Sequence, residues 1–108
     1  MAGDFIVKSY RVQVDGFPAH TYLAATPARA RARAWESYCS YRYVPFSEFL
    51  KISKIERAEN DPRLGKPIMV AGLRAFWVGQ DRQYVHFVRP HTDVVICSHP
   101  NDVSEVPA

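Results

Sequence analysis

No stretch of this 108-residue chain approaches the ~18 consecutive apolar residues that a membrane-spanning helix requires, which excludes that architecture. Cysteine is scarce. Cys39 and Cys97 are too few for a disulfide framework and lie far apart, and each sits among apolar neighbours, where a free thiol packs as a small hydrophobe. The opening residues lack a basic segment leading into an apolar run, since Phe5-Ile6-Val7 stops at Lys8; a reducing cytoplasm is therefore the expected compartment. Catalytic signatures are missing too. There is no Gly-x-Ser-x-Gly elbow, and neither cysteine has a recognisable protease setting. Gly65, Gly72 and Gly79 are spaced as turn markers and form no phosphate or dinucleotide loop. His20-Thr21 and His91-Thr92 lack the repeated spacing of histidine-based phosphodiester chemistry, and Glu56 and Glu59 lie in or beside a polar stretch with no apolar pocket to raise a pKa. No catalytic residue, cofactor or enzymatic activity is expected.

What is present is enough for one folded domain. At 47% hydrophobic and 13% aromatic, the chain has too many large apolar residues for disorder, and its length suits a single core. The net charge of +3 is unevenly placed. Residues 1–58 hold nine Lys/Arg against five acids, net +4, while residues 59–108 hold five against six, net −1. A basic half attracts nucleic acid or an acidic protein surface, although a solvated face reads the same way.

Tyr10, Val12 and Val14 alternate with polar residues as in a half-buried strand, Asp15-Gly16 marks a turn, and Ala19–Ala25 reads as the returning strand. Thr26 is a good N-cap and Pro27 a good first helical residue, so a helix is predicted to run to Tyr43 and stop before Pro45. At 100° per residue Ala28, Ala32, Trp35 and Cys39 share a stripe that should face a sheet, which turns Arg29 and Arg33 outward. Ser47–Leu50 suits a short helical turn and Ile52–Ala58 an edge strand. Residues 59–65 read as a connector. Strands are then predicted at Pro67–Ala71, Ala75–Val78, Gln83–Val88 and Val94–Ser98, with residues 101–108 as a tail. The expected fold is α+β: an N-terminal hairpin and one main amphipathic helix packed on an antiparallel sheet (residues 4–58), then a β-rich half (66–100) forming a meander or small barrel. The expected core includes Tyr10, Val12, Val14, Leu23, Ala28, Ala32, Trp35, Phe49, Ile52, Val70, Phe76, Val85, Phe87, Val94 and Ile96.

Two surface features invite chemistry. A four-residue loop, Arg89–Thr92, would pair Val88 with Asp93, setting His86 opposite Val95 and diagonal to Cys97 on a polar face with Tyr84 and His99. Zinc is conceivable there, but no tight Cys/His clamp exists and no metal site is expected. The basic helix is the stronger feature. Arg29 and Arg33, with Arg31 and Tyr41 at the margins, are the expected partner-binding residues, because arginine pairs with carboxylate or phosphate and both residue types favour interface hot spots.

The segments Thr26–Trp35, Ser47–Leu50 and Asp93–Val103, together under half of the chain, resemble small uncharacterised proteins encoded by phages and prophages. That resemblance implies a non-enzymatic inhibitor of a host defence complex, as anti-CRISPR proteins are, acting by protein–protein contact in the bacterial cytoplasm. It carries over no functional residue. The alternative from the residues alone is a direct nucleic-acid binder using the arginine helix, and the sequence leaves the oligomeric state open.

Overall fold

In the computed structural model, which describes residues 4–107, the alternation around Tyr10 produces strand β1 (Lys8–Val14) with Tyr10 and Val12 buried on one side. Asp15-Gly16 turns the chain with Gly16 at φ +85°, and β2 (His20–Ala24) returns antiparallel, pairing Tyr10 with Tyr22. Thr26 caps helix α1 (Pro27–Cys39), its hydroxyl accepting from the Arg29 amide at 3.2 Å. The helix ends four residues short of the expected Tyr43. Helix α2 (Phe46–Ile52) leads directly into β3 (Ser53–Arg57), which pairs with the free side of β1, giving a sheet of order β2-β1-β3 with β3 at the edge.

The helix lies on this sheet in a different rotation from the one its sequence suggests. Ala30 and Ala34 are the buried residues, Ala28 is exposed, and Ala32, Trp35 and Cys39 are only half-buried. Their small side chains place Ala30 with Tyr10 and Ala24, and Ala34 with Val12, Val44 and Phe49. Trp35 turns toward the connection between the helices. Its indole donates to the Val44 carbonyl at 2.8 Å and its ring meets Phe46 edge-on at 5.4 Å. The fully buried Phe49 anchors α2 in the same cluster.

The described residues divide into two compact units: Lys8–Glu59, just described, and residues 4–7 together with 60–107. In the second unit β4 (Pro67–Val70), β5 (Leu73–Gln80), β6 (Val85–Val88) and β7 (Ile96–Ser98) form an antiparallel meander. The first hairpin turns on Ala71-Gly72, both with positive φ, as a two-residue turn between strands demands. That turn lies earlier than the expected Gly72–Arg74, and β5 is correspondingly longer. The predicted tail is also structured. A 3-10 turn at Pro100–Asp102 leads into β8 (Val103–Glu105), which pairs with β4, so the order is β7-β6-β5-β4-β8.

This order bends the sheet. β7 and β8 are its two edges, which in a flat sheet would stand about 19 Å apart at ~4.8 Å per strand. Only residues 99–102 join them, mostly as a 3-10 turn rising about 2 Å per residue, so the sheet must curl into a partial barrel. An extra residue in β5, Val78, helps, since a bulge bends and twists its strand. Ile68, Val70, Ala75 and Phe87 fill one face, and Phe5 covers Phe76 on the other at 5.3 Å. Val94 and Ile96, expected in the core, are exposed: the last hairpin pairs two residues away from the expected register, which leaves Val94 ahead of the strand and Ile96 on the face it shares with Phe87 but at the open edge of the sheet. Among the described residues no helix is long and apolar enough to cross a membrane.

Candidate functional site

The rotation of α1 breaks up the expected arginine row. Arg29 is exposed, but Arg33 leans back and donates to the Leu23 carbonyl of β2. Arg31 leans the other way, 3.5 Å from the Ser53 carbonyl of β3, with its Nε buried and without a hydrogen-bond partner. The two half-buried arginines therefore straddle the alanine stripe, one at each edge of the helix. Arg29 and Arg33 do not turn outward together, because Ala30 and Ala34, and not the bulky Trp35, mark the sheet-facing side.

Tyr41, expected only at the margin, stands instead in an aromatic cluster. Just past the C-terminus of α1 it is 72% exposed, and its ring lies 5.5 Å from Phe17 and 6.0 Å from Tyr38. Phe17 meets Tyr38 edge-on at 5.9 Å, and Tyr38 rests on the buried Phe49 at 5.7 Å. The β1–β2 turn brings Phe17 to this place, and the helix phase that buries Ala34 brings Tyr38. Phe17, Tyr38 and Tyr41, together with Val12, Pro18 and His20, line an open groove of about 270 Å³. Its floor is apolar and its unit carries nine Lys/Arg against five acids over residues 8–59, net +4. Phe17 was the residue that sequence reasoning passed over. Its one signal was a large aromatic side chain directly after a turn glycine.

A polar hollow lies on the same unit, lined by Arg11, Gln13, Arg31, Ser53, Lys54, Ile55 and Glu56. Three cations face one carboxylate there, and Glu56 is already held by Arg11 at 3.1 Å.

The second unit assembles a constellation that the sequence only half suggested. His86 sits directly opposite Cys97 across β6 and β7, and Cys97 Sγ lies 3.1 Å from His86 Nδ1. On the far side of the ring, His86 Nε2 is 3.0 Å from Asp81 Oδ2. Asp81 is positioned by the β5–β6 turn, where its other oxygen accepts from the Gln83 and Tyr84 amides at 2.8 Å each. Those bonds, the Gln83 amide foremost and then His86, hold the Asp81 carboxyl below its usual range and keep it ionised at neutral pH. Cys97 and Asp81 lie on opposite sides of the imidazole, and among the described residues no group of three metal-ligating side chains is placed to hold an ion. His99 is engaged elsewhere, its Nδ1 accepting from the Asn101 amide at the start of the 3-10 turn, and His91 pairs with Asp4 at 3.1 Å. Both cysteines are free thiols.

Comparison of the chain with protein-family models, curated proteins and solved structures returns no match.

Proposed function

We propose that this is a non-enzymatic binding protein whose Lys8–Glu59 unit holds an acidic segment of a protein partner. The observation that carries the reading is the open groove under Phe17, Tyr38 and Tyr41 on a unit of net charge +4. A monomeric surface has little reason to leave three aromatic rings in an accessible cluster, and Tyr is among the residues that dominate binding energy. An apolar side chain of the partner would enter the groove, and the net positive charge of the unit would favour the approach of its flanking carboxylates. The likeness to small phage proteins extends the proposal to the partner's class: a defence complex in a bacterial cytoplasm, inhibited by occupation of its surface.

The Arg11–Arg31–Lys54 hollow favours a second reading. Its three cations outnumber its one carboxylate, an excess of positive charge suited to phosphate oxygens, as direct binding of nucleic acid would require.

Two probes separate these readings: a fluorescein-labelled peptide of Asp and Glu around one Phe, and a labelled DNA oligonucleotide, each titrated over a salt series. The groove reading predicts that the peptide binds, and that Tyr41→Ala and Phe17→Ala each weaken it about tenfold or more with the melting temperature preserved. Tight DNA binding that falls steeply with salt and ignores both substitutions would overturn it in favour of the phosphate reading.

A further inference from the structure

We propose that Cys97 is a nucleophilic thiol, served by His86 and positioned by Asp81, that reacts with low-molecular-weight disulfides. The geometry assigns each group a role. Asp81, ionised, can only accept, so His86 Nε2 carries the ring proton and Nδ1 presents its lone pair to the thiol. The Cys97 S–H then donates to Nδ1 across 3.1 Å, which is the arrangement that activates a weak nucleophile through an adjacent base with a third group orienting that base. Asp81 is itself fixed by two backbone amides, so the imidazole is held on both sides.

The site is open to a reactant. β7 is an edge strand, Cys97 is exposed, and the β5 residue paired with His86 is Gly79, which places no side chain beside the ring. Cys39 provides the contrast. It is half-buried, and its Sγ lies 3.7 Å from the Val44 carbonyl. Disulfide exchange suits this setting because the developing charge falls on the departing sulfur, which leaves as a stable thiolate, and the reaction needs no separate donors for an oxyanion.

The Cys97 sulfur attacks one sulfur of R–S–S–R while its proton passes to His86 Nδ1, and the S–S bond breaks as the Cys97–S–S–R bond forms. The departing thiolate leaves and is protonated to R–SH as His86 returns its proton through solvent. Cys97 is oxidised to the mixed disulfide, one R–S group is reduced, and His86 is restored.

Glutathione disulfide is the probe, with the mixed disulfide quantified by intact mass and peptide mapping between about pH 5 and 9. The variants are His86→Gln, Asp81→Asn and Cys97→Ser, each checked for its fold by circular dichroism. At pH 7 Cys97 should react about tenfold or more faster than Cys39, and faster than Cys97 in the His86→Gln variant by a similar factor. His86→Gln should also shift the rise of the rate to higher pH, and Asp81→Asn should shift it partway, which a purely structural role would not do. The wild-type chain unfolded in urea gives a reading that needs no variant: Cys97 there should react more slowly than in the fold despite its greater exposure. A His86→Gln rate and pH profile equal to wild type, or a folded Cys97 no faster than the unfolded one, would overturn the proposal.

Discussion

At the scale of single residues, three arginines spaced two apart on one helix have three different fates. Arg29 is exposed, where a surface contact contributes at most about 1 kcal/mol, so Arg29→Ala is expected to cost no more than that. Arg33 places a charged donor on the Leu23 carbonyl, and Arg33→Ala should cost about 1–2 kcal/mol. Arg31 buries its Nε without a partner, so Arg31→Met, which keeps the aliphatic stem and removes the stranded donor, should be neutral or stabilising. Urea midpoints check all three, and an Arg31→Met loss exceeding that of Arg33→Ala would contradict the assignment. Asp81 yields a prediction in pH. Its pKa is lowered in the fold, so the stability it contributes is present above its unfolded value, about 4, and is lost as pH falls through the folded value. Asp81→Asn should therefore flatten the fall in melting temperature on the acid side of about pH 5, while leaving any alkaline decline unchanged. An acid slope identical to wild type would show that these hydrogen bonds carry no linkage.

At the scale of elements, the helix phase is the decisive feature, and one pair of substitutions reads it. Ala34→Leu forces a larger side chain against Val12, Val44 and Phe49 and should cost about 1–3 kcal/mol, whereas Ala28→Leu on the exposed side should cost little. Equal thermal melts for the two would contradict the observed rotation. The elements themselves were largely legible. Thr26-Pro27 announced the helix start, Asp15-Gly16 the first hairpin, and the Val, Ile and Phe runs the later strands. The rotation was not legible, because alanines at 28, 30, 32 and 34 fall on both sides of a helix. The sequence pattern cannot say whether the sheet takes the largest apolar residue, Trp35, or the smallest pair. Close approach favoured the small pair, and Trp35 found its hydrogen bond in the loop after the helix.

The register of the last hairpin was hidden for a related reason. Val94, Val95 and Ile96 form an unbroken apolar run, and because a two-residue slip keeps every side chain on its own face, such a run does not distinguish one register from the other. The structure leaves all three exposed, shifts the pairing by two, and thereby sets Cys97 directly against His86. The cysteine–histidine contact depended on that shift. Asp81 could be placed beside them only once the β5–β6 turn was known, since its carboxylate is held by backbone amides that no side-chain motif records.

At the scale of the whole molecule, charge and surface chemistry are divided between the two units. The residues from Lys8 to Glu59 hold the net positive charge and the aromatic groove, and the curled sheet from Asn60 onward holds the thiol, the imidazole and the carboxylate. The central claim is that the first of these surfaces takes an acidic protein segment at Phe17, Tyr38 and Tyr41. The most direct measurement is a two-dimensional NMR titration of isotope-labelled protein with the acidic Phe-containing peptide. The account predicts shift changes concentrated at Phe17, Pro18-adjacent Ala19, Ser37, Tyr38 and Tyr41, with the resonances of Arg11 and Lys54 unmoved. Changes centred on Arg11, Arg31 and Lys54, or none in the groove at saturating peptide, would contradict it.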